Sequence, residues 1–283
     1  MRARALLAGE WEPPPVRDAS TVVLLRDGSG TVALETFLMR RAPTMAFAAG
    51  MHVFPGGRID TEDGDIDVEW IGPPIEHARM TADERQARAL IVGAVREVFE
   101  ETGVLLAVDE TGAPPTEDDA WEDDRVLVAQ SSSALADVLA RRGLRLDPAL
   151  LPLWTHWVTP EIESKRYDVR FFVAAVPSGQ RVRDVSGEAD RVVWVSPAVA
   201  LGDYARGELA MLPPTVATLA DLAALPDVAS VLAAADDREV RPLMPRPRLT
   251  PEGGVAWDVI DVRDGSVVVR LPSEPAGSEV AGA

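Results

Sequence analysis

Between Arg96 and Val104 the chain reads REVFEETGV, one arginine and three glutamates within six positions, closed by Gly103. On a helix Glu97, Glu100 and Glu101 stand at i, i+3 and i+4 and share one narrow arc of surface. Three carboxylates so placed repel one another unless something offsets their charge. One arrangement is a solvated acidic face steadied by Arg96. Another is a site for a hard divalent cation, because oxygen donors clustered on one rigid element suit Mg²⁺ or Mn²⁺. Spacing alone leaves both open.

The helix that carries these residues is predicted to open at Thr81-Ala82-Asp83-Glu84, where the Thr81 hydroxyl and the Glu84 carboxylate form a reciprocal capping box. It ends where Gly103 takes the left-handed conformation. Ile91, Val95, Val98 and Phe99 fall on a core side and the glutamates on another. Upstream, STVVLLRDGSGTVALETFLMRR reads as a hairpin turning at Asp27-Gly28-Ser29-Gly30. MHVFPGG reads as a short strand ending in two glycines that let the backbone come close to something. The acidic stretch from Arg58 to about Met80 reads as a surface excursion whose carboxylates, Asp63 among them, are solvated. Downstream, residues from Trp121 to Arg142 are periodic enough for a helical insertion. Strands are expected at WTHWVT, RYDVRFFVAAV and RVVWVS, a helical segment from about Pro214 to Asp236, and a hairpin turning at Asp264-Gly265.

A chain of 283 residues with 47% hydrophobic content can bury one large core. A formal charge of −18 argues against nucleic acid and anionic membrane as partners, so a polyanionic substrate needs a local basic patch or a bridging cation. The absence of cysteine excludes disulfides, thiolate metal sites and a cysteine nucleophile. With no apolar run of signal-peptide or membrane-span length, the expected location is cytoplasmic. The three histidines, His52, His77 and His156, have no spacing that signals zinc or a catalytic triad, and are read as structural.

REVFEETGV fits the second half of the Nudix hydrolase signature, G-x5-E-x7-R-E-U-x-E-E-x-G-U, with Val98 and Val104 at the aliphatic U positions and Gly56-Gly57 upstream as the opening glycines. Gly57 and Arg96 are 39 positions apart where the signature has fourteen, an insertion of 25. Arg88 stands where the intermediate glutamate belongs; Glu84 and Asp63 are candidates for that role, which stays unassigned. RRAPTMAFAAGMHVFPGGRID, the long spacer, and the later pieces PLWTHWVTP, RYDVRFFVA, GEADRVVWVSPAVAL and LPPT resemble the peroxisomal coenzyme A diphosphatases with split Nudix boxes.

That resemblance implies an α/β Nudix fold, a mixed β-sheet sandwiched between helices, with a helical insertion and C-terminal additions. It divides the chain into an N-terminal extension (1–19), a Nudix domain (20–212) with insertions at about 58–80 and 110–150, a C-terminal helical segment and hairpin (213–271), and a disordered tail (272–283). It assigns Glu97, Glu100, Glu101 and the Gly57 carbonyl to Mg²⁺ or Mn²⁺, Arg96 to orienting the glutamates, and Glu188 to a further ligand or general base. Arg41, Phe54 and Arg170 go to substrate. The implied reaction is hydrolysis of the diphosphate of coenzyme A or acyl-CoA to 3′,5′-ADP and a 4′-phosphopantetheine product. ADP-ribose, NADH or nucleotide sugars are alternative substrates, and a non-catalytic nucleotide-sensing module is the alternative class. The expected partner is a small nucleoside diphosphate derivative, with room for a homodimer.

Overall fold

From Ala19 to Leu25 the chain buries side chains on both alternating faces, as a strand covered on two sides must. The computed structural model describes residues 2–28, 34–45, 48–183, 185, 187, 189–251 and 254–270. In chain order the first half contains α1 (Arg2–Leu7), β1 (Val16–Asp27), β2 (Leu34–Arg41), β3 (His52–Val53), β4 (Gly56–Arg58), α2 (Glu84–Thr102), α3 (Trp121–Gln130) and α4 (Ala134–Arg142). The second half contains β5 (Leu153–Val158), β6 (Arg166–Ala175), β7 (Ala189–Val195), α5 (Pro197–Ala205), α6 (Pro213–Leu222), α7 (Val228–Asp236), β8 (Pro242–Leu249), β9 (Val255–Asp261) and β10 (Val267–Arg270). Among the described residues no helix is long and apolar enough to cross a membrane.

β1 is the organising strand. Along one side it runs parallel to β6, from Val16 opposite Arg166 to Leu25 opposite Ala175. Along the other it pairs antiparallel with β4 through Ser20 and Gly57, then with β2 through Leu25 and Thr36. The main path is β10-β9-β8-β5-β6-β1-β2-β3, with β7 on β2. One face carries Val22, Leu24 and Phe37 and packs beneath α2, α3 and α4. The opposite face carries Val23, Leu25 and Leu38 and packs against α5, α6 and α7. The mixed sheet between helices is thus the expected α/β architecture, its strands buried because both layers are covered.

Several local expectations change. β1 starts at Val16, so residues 16–19 belong to the sheet rather than to an extension. The expected turn of the first hairpin includes Ser29 and Gly30, which lie outside the described residues, as does the expected tail. MHVFPGG splits into β3 and β4 at Phe54-Pro55. The cap of α2 is Asp83, not Thr81: the Asp83 carboxylate accepts from the Arg85 and Gln86 amides. The helical segment after Pro213 breaks into α6 and α7. Residues 59–80 stay out of the sheet, yet they do not project: Ile66, Val68 and Met80 are buried in the cluster beneath α2. β8 was not expected at all.

Candidate active site

The acid face of α2 meets the glycine pair of β4. Gly56 has φ 145, open to glycine but strained for other residues, and a Cβ there would collide with the Ser20 carbonyl of β1. Its amide donates to Glu101 Oε2 at 2.8 Å. A Cβ on Gly57 would overlap the Glu97 carboxylate, so strand and helix approach as closely as they do because neither glycine has a side chain. From the other direction, Ser20 Oγ donates to the Leu90 carbonyl at 2.8 Å and ties β1 to α2.

Arg96 organises the carboxylates. Its Nη1 donates to Glu97 Oε1 at 2.8 Å and to Glu100 Oε1 at 3.0 Å. Its Nη2 donates to the Arg58 carbonyl and to Asp63 Oδ2, both at 3.2 Å. Burial disfavours the guanidinium charge, but Glu97, Asp63 and Glu100 outweigh it and hold the group protonated. Burial also dominates at the acids. Together with the Glu100 charge it pushes Glu97 up to about 7 against the opposing pull of Arg96. Glu100 is raised chiefly by the same loss of hydration.

Asp63, one of the two candidates for the intermediate acid of the signature, is not among solvated carboxylates. It is fully buried, and besides Arg96 it accepts from the Asp60 amide at 3.0 Å. Asp63 stands six positions after Gly57, the place of the first glutamate in the G-x5-E half of the signature, with a shorter acid in that place. The extra residues therefore enter after it. Counting from the glycine rather than back from Arg96 is the signal that finds Asp63; Glu84, the other candidate, is exposed at the first turn of α2.

Two of the residues assigned to substrate, Phe54 and Arg170, are occupied inside the fold. Phe54 is buried in the core against α5, α6 and α7, edge-on to Phe171 at 6.5 Å. Arg170 is 3% exposed and committed to internal partners: its Nη1 meets Asp18 at 2.9 Å and Asp168 at 3.0 Å, and its Nε and Nη2 donate to the Met80 carbonyl. Arg41 ends β2, where its backbone holds the turn before β3 through Gly50 and Met51. Glu188 lies outside the described residues. His156 is bonded to Asp168, and His52 is buried beside the Ala210 carbonyl.

Among the described residues no group of three or more histidines, aspartates and glutamates is placed so that it could by itself hold a metal ion. The donor chemistry nevertheless suits a hard cation: Glu97 and Glu100 share one Arg96 nitrogen, Glu101 lies on the Gly56 amide, Glu97 and Glu100 resist ionisation, and the glycine pair leaves backbone within reach. A divalent ion there would offset the charge that burial makes costly.

The family model described as the NUDT19 Nudix domain matches residues 81–222. The acyl-coenzyme A diphosphatase NUDT19 of Xenopus laevis is 26% identical over 230 residues, covering 66% of this chain and 59% of that protein. The chain thus spans less than two thirds of the frog relative. The human protein of the same name is 26% identical over 271 residues, covering 80% of this chain and 70% of the relative. Among solved structures, a NUDIX hydrolase from Alicyclobacillus acidocaldarius superposes with a TM-score of 0.68 at 32% identity, over 77% of this chain and 96% of the other. With the glycine pair, the Asp63–Arg96 link and the glutamates of α2 in one place, this chain belongs to the Nudix hydrolases of the NUDT19 type.

Proposed function

We propose that this protein is a metal-dependent pyrophosphohydrolase that cleaves the diphosphate of coenzyme A or acyl-CoA. The observation that carries the chemistry is the meeting of the α2 acids with the glycine pair: Glu101 binds the Gly56 amide, Glu97 abuts Gly57, and Arg96 joins Glu97 to Glu100. Substrate choice is supported by the relatives named acyl-coenzyme A diphosphatase and by the likeness of RRAPTMAFAAGMHVFPGG to the CoA-cleaving branch.

In this reading a water oxygen forms a new bond to one phosphorus of the diphosphate. The bridging P–O bond breaks, its electron pair stays on the leaving phosphate, and the proton lost by water passes to a base or to solvent. The products are 3′,5′-ADP and the 4′-phosphopantetheine compound. Glu97, Glu100, Glu101 and the Gly57 carbonyl would hold Mg²⁺ or Mn²⁺, which supplies charge neutralisation at the phosphate oxygens and a more acidic water. Arg96 keeps the carboxylates in register without needing to touch substrate. Arg41 is the basic residue we assign to a substrate phosphate, and Glu188 the further acid.

The test is a product-resolved screen of CoA, acyl-CoA, ADP-ribose, NADH and UDP-sugars with each metal. Release of 3′,5′-ADP from CoA compounds at the highest kcat/KM is the expected result. Preferential release of AMP from ADP-ribose would reassign the substrate and leave the hydrolase reading in place, whereas no metal-dependent hydrolysis of any of them would overturn both.

A further inference from the structure

Four consecutive carbonyls at the C-terminal end of α2 are each taken by a donor from outside the helix. Arg125 Nη1 reaches the Glu100 carbonyl at 2.9 Å and the Val185 amide reaches that of Glu101 at 3.3 Å. The Arg183 amide reaches Thr102 at 2.9 Å, and Trp121 Nε1 reaches Gly103 at 2.8 Å. Helix ends leave these carbonyls without intrahelical partners, and water or a local turn commonly serves them. Here two of the four donors are side chains of α3, which belongs to the inserted segment and not to the Nudix signature.

α3 is itself braced. Trp121 is 2% exposed and stands edge-on to Phe99 of α2 at 5.6 Å. Arg142 of α4 covers the Trp121 ring at 4.9 Å and bonds Asp118 at 3.0 Å through two nitrogens. Arg125 is buried and is gripped by Glu122, whose carboxyl is held below its ordinary value by that hydrogen bond. The need for such bracing is electrostatic. Glu100 and Glu101 sit in the last turn, where helices fray and where the negative end of the helix dipole opposes acidic side chains. Arg125 brings a positive charge and a donor to that turn.

We propose that α3 is a clamp on the catalytic helix, and that Arg125 and Trp121 are positioning residues holding Glu100 and Glu101 in working geometry. The inference rests on the hydrolase reading for its effect on turnover, though not for its effect on the helix end. The test compares Arg125→Ala, Arg125→Lys and Trp121→Phe, which keeps a smaller aromatic ring but removes the N–H. Hydrogen exchange of the amides over 100–105 should accelerate about tenfold in Arg125→Ala, the size expected for one lost hydrogen bond, with β1 and β6 unchanged. In the same folded variant kcat, normalised to active protein, should fall about tenfold with KM within about twofold, and Arg125→Lys should recover most of it. Should Arg125→Ala not fold, Trp121→Phe carries the same comparison at smaller amplitude. Wild-type exchange at the helix end in the folded variants would overturn the clamp. Loss of protection with unchanged kcat would overturn its positioning role. If the wild-type protein hydrolysed no diphosphate, the exchange result would still decide the clamp while the hydrolase reading alone fell.

Discussion

Arg96 links Asp63, Glu97 and Glu100, while Glu101 is held by the Gly56 amide, and the consequences differ by partner. Glu100→Gln and Glu101→Gln keep size and one acceptor oxygen while removing a charge, so the helix should persist. If these carboxylates hold the metal, each variant should lose turnover by about two orders of magnitude or more with little change in Tm. Full activity in both, or wild-type turnover in excess EDTA, would reduce the cluster to a surface feature. Asp63 is different because it is fully buried opposite a buried cation. Asp63→Ala should destabilise the protein by about 3 kcal/mol, since one member of a buried ion pair is left short of its partner. Asp63→Glu restores the charge at the cost of one extra methylene in a packed site, and should recover most of the activity. Equilibrium urea unfolding separates these outcomes, and an unchanged midpoint for Asp63→Ala would show that Arg96 does not depend on it.

At the scale of elements, the site exists because a strand and a helix touch without side chains between them. Gly57→Ala should therefore displace Glu97 and lower kcat by about tenfold or more even where the fold survives; wild-type kcat in a folded Gly57→Ala would mean that Glu97 has another working position. A second junction ties β5, β6 and β1 together through His156, Asp168, Arg170 and Asp18. Burial pushes the Asp168 carboxyl up, but the His156 hydrogen bond and Arg170 outweigh it and hold it below its ordinary value. Its folded-state value is depressed, so the stability it contributes is present above the ordinary aspartate value of about 3.9 and is lost as pH falls through the folded value. The Tm difference between wild type and Asp168→Asn should be full at neutral pH and shrink on acidification below that point. A difference independent of pH would place the effect in packing. Elements with a local period were legible in the sequence: α2 with its Gly103 stop, the strand around Val22 and Val23, and the last hairpin. The rest needed contacts distant in the chain. Asp63 lies 33 residues before Arg96 and its burial is set by how residues 59–80 wrap on α2. β8 carries Pro242, Pro245 and Pro247, which cannot donate to a ladder. It survives inside the sheet because its pairing with β5 covers only His156 opposite Pro242 and Trp157 opposite Leu243, while β9 supplies a longer partner.

The whole molecule carries −18 and yet is proposed to act on a substrate bearing several phosphates. Recognition must therefore be local, through a cation at the acid cluster and through basic side chains placed beside it, since the mean field repels the ligand. On the proposed reading chemistry and selectivity separate: the glutamates of α2 would serve any diphosphate, whereas the stretch from Arg40 to Gly57 resembles the branch that cleaves CoA. If Arg41 meets a phosphate of CoA, Arg41→Ala should remove a charge-assisted contact worth about 1.5–3 kcal/mol, seen as roughly a tenfold to hundredfold loss in kcat/KM. The loss should be larger for CoA than for dephospho-CoA if the 3′-phosphate is the target, and equal for both if Arg41 faces the diphosphate or acts within the fold. Wild-type enzyme should in either case turn over CoA compounds at higher kcat/KM than ADP-ribose or UDP-sugars. Should ADP-ribose or a UDP-sugar be hydrolysed about tenfold more efficiently than every CoA ester tested, a difference of about 1.4 kcal/mol in transition-state binding, the CoA assignment is wrong. The acid cluster of α2 would then serve a different nucleoside diphosphate by the same chemistry.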